Sequence, residues 1–285
     1  MLYPSLLRCT LLGTSLSLLT ACADNHAASQ VDTPTPVVQS ATISLPTATV
    51  SPTSTATFEQ PTQSFASWQA AFRQEALSAG IQAAVFDAAF AGVSPDMAVI
   101  RADRSQPEFS RPVWEYLDSA ISTVRVRRGQ ALLAEHASTL QAIEQRYGVD
   151  RHALVAIWGM ESNFGQYMGD KSVIAALATL AYEGRRPAFA HEQLLAALRI
   201  LQHGDVQPSR MRGSWAGAMG QTQFIPSTYN QFAVDFDGDG RRDIWDSSAD
   251  ALASAAHYLQ KSGWQSGQPW GVEVTLPSGF DYALA

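Results

Sequence analysis

The sequence predicts an α+β protein that is predominantly α. Long stretches repeat apolar residues at helical spacing and stop at glycines. The chain is 46% hydrophobic and 16% charged, a globular composition diluted by a polar segment near the start. Strand-like alternation is confined to Val272, Val274 and Leu276 close to the end. At 285 residues there is room for one large domain or two modest ones. A formal charge of −7 with two lysines, Lys171 and Lys261, argues against a nucleic-acid partner.

Residues 1–22 read as a targeting segment. Arg8 supplies a positive start, and Leu11 to Leu19 form an apolar run too short to span a bilayer as a mature helix. The run ends in Leu19-Thr20-Ala21-Cys22, which resembles a bacterial lipobox. The expectation is lipidation at Cys22, so the membrane is met through a lipid anchor only. Ala23 follows with no Asp beside it, and in bacterial lipoproteins that pattern implies the periplasmic face of the outer membrane. The other cysteine, Cys9, leaves with the leader, so no disulfide is expected. Residues 23–64 are rich in Thr, Ser, Pro and Ala and carry no helical period. They cannot bury enough surface to offset their ordering entropy and read as a tether.

Structure is expected from Phe65 onward. Phe65, Trp68, Phe72 and Ala76 lie on one helical stripe, and a second helical pattern stops at Gly92. Turns are predicted at Ser105-Gln106-Pro107 and Arg111-Pro112. Helical patterns then fill 113–123 and 127–148, so residues 65–149 read as a helical layer. Two more helices, closed by Gly184 and Gly204, follow Lys171.

The segment Asp150–Gly165 singles out one side chain. Asp150 is a helix N-cap candidate and Gly165 a stop. Leu154, Ile157, Trp158 and Glu161 share a face at i, i+3, i+4, i+7. Three are apolar, which places Glu161 on a buried stripe in the last turn. Burial and the negative helix end both raise its pKa, towards the range useful for proton donation. A structural Glu held by a backbone N–H or an Arg fits the same pattern. Further on, Gly213, Gly217 and Gly220 interrupt a helix-like pattern over 213–229. Glycines at this density mean a backbone approached closely, by a ligand or by another helix.

Together these residues carry a resemblance. Gly159-Met160-Glu161-Ser162-Asn163-Phe164-Gly165 resembles the catalytic segment of lytic murein transglycosylases. Ala218-Met219-Gly220-Gln221-Thr222-Gln223-Phe224-Ile225-Pro226 resembles their second motif, and the intervening ALATLAY is similar to the membrane-bound lytic transglycosylase B group. The likeness covers residues 65–285. It implies a lysozyme-like core over 150–230, behind the helical layer, with a small calcium-loop and β subdomain over 231–285. It also implies peptidoglycan as partner. Glu161 would serve as single general acid and base, leaving 1,6-anhydromuramoyl ends, with no cofactor for catalysis. By the same resemblance Ser214 and Gln223 would hydrogen-bond sugar, Tyr116 and Tyr258 would line the cleft, and Arg185 and Arg186 would face the stem peptide. The chain is expected to act as a monomer. Two other readings stand beside this one. A water-using muramidase needs a second carboxylate, for which Asp170 and Glu183 are available. A catalytically weak peptidoglycan-binding lipoprotein is the third. Related enzymes continue past residue 285 and return aromatic and Asn residues to the cleft, so an abbreviated member with a partly open cleft is expected.

Asp235, Asp237, Asp239, Gly240, the Arg241 carbonyl and Asp243 match positions 1, 3, 5, 6, 7 and 9 of an EF-hand loop. Asp246 stands at position 12, one methylene shorter than the usual Glu. The family resemblance suggests a longer loop, closed by Asp250. A structural Ca2+ is expected there, with Asp243, Asp246 and Asp250 as the alternatives for closure.

Overall fold

The computed structural model describes residues 63–105, 113–269 and 271–281. The leader, Cys22, the tether to residue 62 and the predicted turns over 106–112 lie outside the described residues. The described residues form eleven helices and one pair of two-residue strands, which bears out a predominantly α class.

Helices α1 (Phe65–Ser78), α2 (Ala83–Ala89) and α3 (Met97–Ser105) come first. Ser64 caps α1, its hydroxyl accepting from the Ser67 N–H. Phe72 of α1 meets Phe86 and Phe90 in one aromatic cluster, with Phe86 and Phe90 stacked at 4.3 Å. That cluster packs on α8 (Val173–Glu183) and α9 (Pro187–His203), through Ile174, Leu177, Leu194 and Leu198. A second core joins α5 (Thr123–Glu135), α6 (Ala137–Tyr147), α7 (Arg151–Ser162) and α11 (Ser248–Lys261), through Leu132, Leu140, Ile143, Leu154, Trp158 and Leu252. Helix α4 (Val113–Ala120) lies between α3 and α5 in the chain.

Within residues 65–149, α1 and α2 pack into the first core and α5 and α6 into the second. The long helical pattern before Gly148 breaks at His136, whose backbone leaves the helical well at φ −99° and ψ 19°. Each shorter helix then turns its own stripe to the second core.

The β part also differs from expectation. Its strands are β1 (Lys171–Ser172) and β2 (Arg212–Gly213), antiparallel with Lys171 opposite Gly213. Val272, Val274 and Leu276 form no strand and are 74%, 67% and 42% exposed. Among the described residues no neighbouring strand takes up their backbone groups, and alternation without a partner makes no ladder. In 213–229 only Pro226–Phe232 becomes helix, as α10. The rest is a compact loop with bridges Gly213–Met219 and Met219–Phe224. Its glycines are approached by the chain itself: a Cβ at Gly213 would stand 2.1 Å from the Ala218 carbonyl oxygen. No helix among the described residues is long and apolar enough to cross a membrane.

Candidate functional site

Helix α7 starts as its sequence dictates. Asp150 Oδ1 accepts from the His152 and Ala153 N–H groups at 2.7 and 3.2 Å. It ends earlier than Gly165, at Asn163, which is left-handed at φ 48°. Asn tolerates that conformation, and the Phe164 N–H then reaches back to the Trp158 carbonyl. Phe164 is left-handed too, at φ 60°, and its ring meets Trp158 edge-on at 5.7 Å. Three consecutive positive φ angles, Asn163 to Gly165, stop the helix one residue beyond Glu161's neighbour Ser162.

The stripe carrying Glu161 runs from core to rim. Leu154 and Trp158 are buried, Ile157 is partly buried, and Glu161 is exposed, contrary to full burial of the stripe. The carboxyl lies at a groove of about 340 Å³, walled by Ile157, by Thr222 to Ile225, by Thr228, and by Ala255, Tyr258 and Leu259 of α11. The residue is open to solvent on one side. The rest is backed by apolar walls, and that desolvation raises its pKa. Among the described residues no group hydrogen-bonds or ion-pairs with it, so the structural-Glu alternative has no partner here. Of the residues that line this groove, Glu161 is the one carboxylate.

Gln223 is held in an unusual backbone, φ 50°, and its Nε2 donates to the Met168 and Gly220 carbonyls at 3.2 and 2.9 Å. Two carbonyl partners fix which end is nitrogen, so Oε1 is the end left to accept from a ligand hydroxyl or N–H. Tyr258 is 39% exposed on the same wall, its ring braced by Phe224 and Phe232 at 5.8 and 5.2 Å.

Other expected residues are not among those that line this groove. Ser214 does not line the groove, and its Oγ accepts from the Ala216 and Ala218 N–H groups. Tyr116, on α4, is 48% exposed and is also absent from the groove lining. Arg185 and Arg186 border a separate cavity of about 100 Å³ with Asp103, Phe189 and Trp215. Arg185 pairs with Asp103, and Arg186 lies over the Phe189 ring at 4.4 Å. The two candidate second carboxylates are elsewhere. Glu183 pairs with Arg104, and Asp170 borders a cavity of about 830 Å³ that also holds the Asp96–Lys171 ion pair. That cavity exceeds the Glu161 groove in volume, and its acids are Asp96, paired with Lys171, and the exposed Asp170.

The acidic loop gathers Asp235, Asp237 and Asp250, with ligand oxygens all within 4.8 Å of one another. Asp250 is fully buried, and burial outweighs its hydrogen bonds so that its pKa is raised. Three hard-oxygen donors crowded together, one in the interior, fit a divalent cation. Asp239 stands outside the trio because Arg241 holds its carboxylate at 2.8 Å. Asp246 pairs with Arg210, and Asp243 caps the Trp245 and Asp246 N–H groups. Of the three alternatives for closing the loop, Asp250 is the one in the cluster.

The sequence reading missed Gln221, a buried amide bonded to Trp158 and to the Trp245 carbonyl. It also missed Thr222, 5% exposed in the groove wall with no partner for its hydroxyl among the described residues. Neither belongs to a periodic stripe, so only the motif around them could have drawn notice.

Fold and site together define a lysozyme-like, predominantly helical protein. The chain belongs to the transglycosylase SLT domain family, whose model matches residues 64–285. It is 36% identical over 171 residues to membrane-bound lytic murein transglycosylase B of Escherichia coli, covering 58% of this chain and 47% of that protein. SltB3 of Pseudomonas aeruginosa, solved in complex with NAG-NAM-pentapeptide, superposes with a TM-score of 0.75 at 70% identity, covering 78% of this chain and 60% of that one. Slt35 of Escherichia coli, solved in complex with calcium, gives 0.64 at 30% identity, with 70% and 64% covered. The chain thus spans about half the length of the curated relative it matches.

Proposed function

We propose that this chain is a peptidoglycan lytic transglycosylase. It cleaves the β-1,4 bond between N-acetylmuramic acid and N-acetylglucosamine and leaves 1,6-anhydromuramoyl ends. The observation that carries the reading is the lone, desolvated Glu161 carboxyl with no second carboxylate in its groove. A hydrolase needs a second group to activate water or to form a glycosyl intermediate. One carboxyl suffices when the sugar supplies its own nucleophile.

Glu161 gives its proton to the glycosidic oxygen as the C1–O bond breaks. The N-acetylglucosamine portion leaves as an alcohol, and positive charge develops at C1. The Glu161 carboxylate then takes the proton of the muramoyl 6-hydroxyl, whose oxygen closes on C1. The proton returns to Glu161 and no water is consumed. Gln223 Oε1 accepts from a sugar hydroxyl or acetamido N–H, and Tyr258 offers a braced ring to a pyranose face. The complexes of SltB3 with NAG-NAM-pentapeptide and NAG-anhNAM-pentapeptide support both substrate and product.

Three further points belong to the same reading. Asp235, Asp237 and Asp250 hold a calcium ion, supported by their convergence and by the calcium complex of Slt35. Arg185 and Arg186 meet the stem peptide. A lipid on Cys22 anchors the protein at the outer membrane, a reading that rests on residues 19–22. Mass spectrometry of muropeptides after digestion of sacculi tests the core proposal. Anhydro ends with the native protein and none with Glu161→Gln are expected. Reducing ends would convert it to a muramidase, and intact sacculi that retain the protein would leave a binding module.

A further inference from the structure

We propose that Gln221 is the positioning residue for the Glu161 carboxyl, and that it ties the place of that carboxyl to the acidic loop. The proposal rests on Glu161 as the acid and on Asp235, Asp237 and Asp250 as a divalent-cation site.

Gln221 is 6% exposed, and its polar groups are all engaged. Its Oε1 accepts from Trp158 Nε1 at 2.9 Å, and its Nε2 donates to the Trp245 carbonyl at 3.1 Å. Its backbone N–H donates to the Ile244 carbonyl at 2.9 Å, and its carbonyl accepts from Ser162 Oγ at 2.6 Å. Trp158 and Ser162 stand on either side of Glu161 in the last turn of α7. Ile244 and Trp245 lie within the acidic loop, between Asp243 and Asp250. The link from there to the cation cluster is direct. The Asp243 N–H donates to Asp250 Oδ2 at 2.8 Å, and Asp243 Oδ1 accepts from the Trp245 N–H at 2.9 Å. From the cation cluster to the end of α7 the hydrogen bonds therefore run through Asp243, Trp245 and Gln221. Gly165 closes the other side: a Cβ there would stand 2.9 Å from Gln221 Oε1.

A primary amide suits this place. The indole N–H can only donate and the Trp245 carbonyl can only accept, so the bridge needs one acceptor and one donor on one planar group. Methionine would leave both partners unpaired in the interior, and glutamate would set an acceptor against the Trp245 carbonyl. Relief of either conflict shifts the end of α7. A misplacement of about 1 Å at a proton donor costs on the order of a hundredfold in rate.

Hydrogen exchange read by mass spectrometry on the full chain, with and without calcium, tests the coupling. Calcium should slow exchange over 235–250 in both the native protein and Gln221→Met. It should slow exchange over 158–165 in the native protein alone. With a defined glycan strand, Gln221→Met should lower kcat at least about tenfold and move KM less than about twofold. Should that variant fail to fold, Trp158→Phe keeps an aromatic ring, removes the N–H and should lose the same response at 158–165. Slowing at 158–165 that survives the substitution, or a native response confined to 235–250, overturns the coupling. No response at 235–250 in the native protein overturns the cation reading and the coupling together; the muropeptide products report on Glu161 independently.

Discussion

Glu161 and Asp250 are both carboxyls whose pKa is raised by desolvation, yet their surroundings are opposite. Asp250 is fully buried and accepts from three backbone N–H groups, those of Phe236, Asp237 and Asp243. Glu161 is exposed at a groove mouth and, among the described residues, accepts from none. A raised pKa alone therefore does not identify an acid catalyst. Donors that point at a carboxylate, or a cation beside it, supply a reason for it to be charged. With neither, desolvation alone acts and favours the protonated form.

The sharpest way to break this comparison is Glu161→Gln, which keeps the shape and removes the proton. Turnover should fall about a thousandfold, the scale of general acid catalysis. The melting temperature should barely move, because the side chain has no partner to lose among the described residues. A comparable loss of stability would mean that Glu161 holds the fold as Asp250 does.

Asp250→Ala should do the reverse. Three N–H groups, that of Asp243 buried, would lose their acceptor, which costs about 2 to 3 kcal/mol. Calorimetry should show a large drop in melting temperature that calcium does not restore. An unchanged melting temperature would remove the distinction between the two carboxyls.

A pH series sharpens the comparison. The protonated form of Glu161 is the active one, so the rate should fall about tenfold per pH unit above its folded pKa. That pKa lies above the ordinary carboxylate value. The sign for stability follows from the same shift. Between the unfolded and folded pKa the folded state binds more protons. Its contribution is complete below the unfolded pKa and is lost as pH rises through the folded one. In Glu161→Gln that small slope should vanish, as equilibrium unfolding at several pH values would reveal.

The smallest effect belongs to Tyr258→Phe. The ring keeps its contacts with Phe224 and Phe232. KM on a defined glycan strand should rise less than about fivefold, the worth of a typical hydrogen bond. A loss as large as that of Glu161→Gln would move part of the chemistry to the phenol.

What the sequence announced was mostly local. Asp150 capping α7, Glu161 at its last turn, and alternate aspartates at 235 and 237 follow from spacing along one segment. Gln223 came with its motif. Residues that depend on distant neighbours stayed hidden. Gln221 reads as one more polar loop residue until Trp158 and Trp245 stand on either side of it. Gly213 and Gly220 declared a close approach without saying by what; the answer, the Ala218 carbonyl and Ile244, lies in the tertiary fold. The alternation of Val272 and Val274 predicted a strand, but a strand needs a second one that no local pattern guarantees.

Helix α11 carries Asp250 in its first turn and Tyr258 eight residues on, roughly 12 Å away at 1.5 Å per residue. The acidic end and the aromatic wall are thus mounted on a single rigid strut. On the proposed function, redesigning that loop to change metal preference would tilt the strut as well, so grip on the sugar and choice of ion would not tune as separate dials.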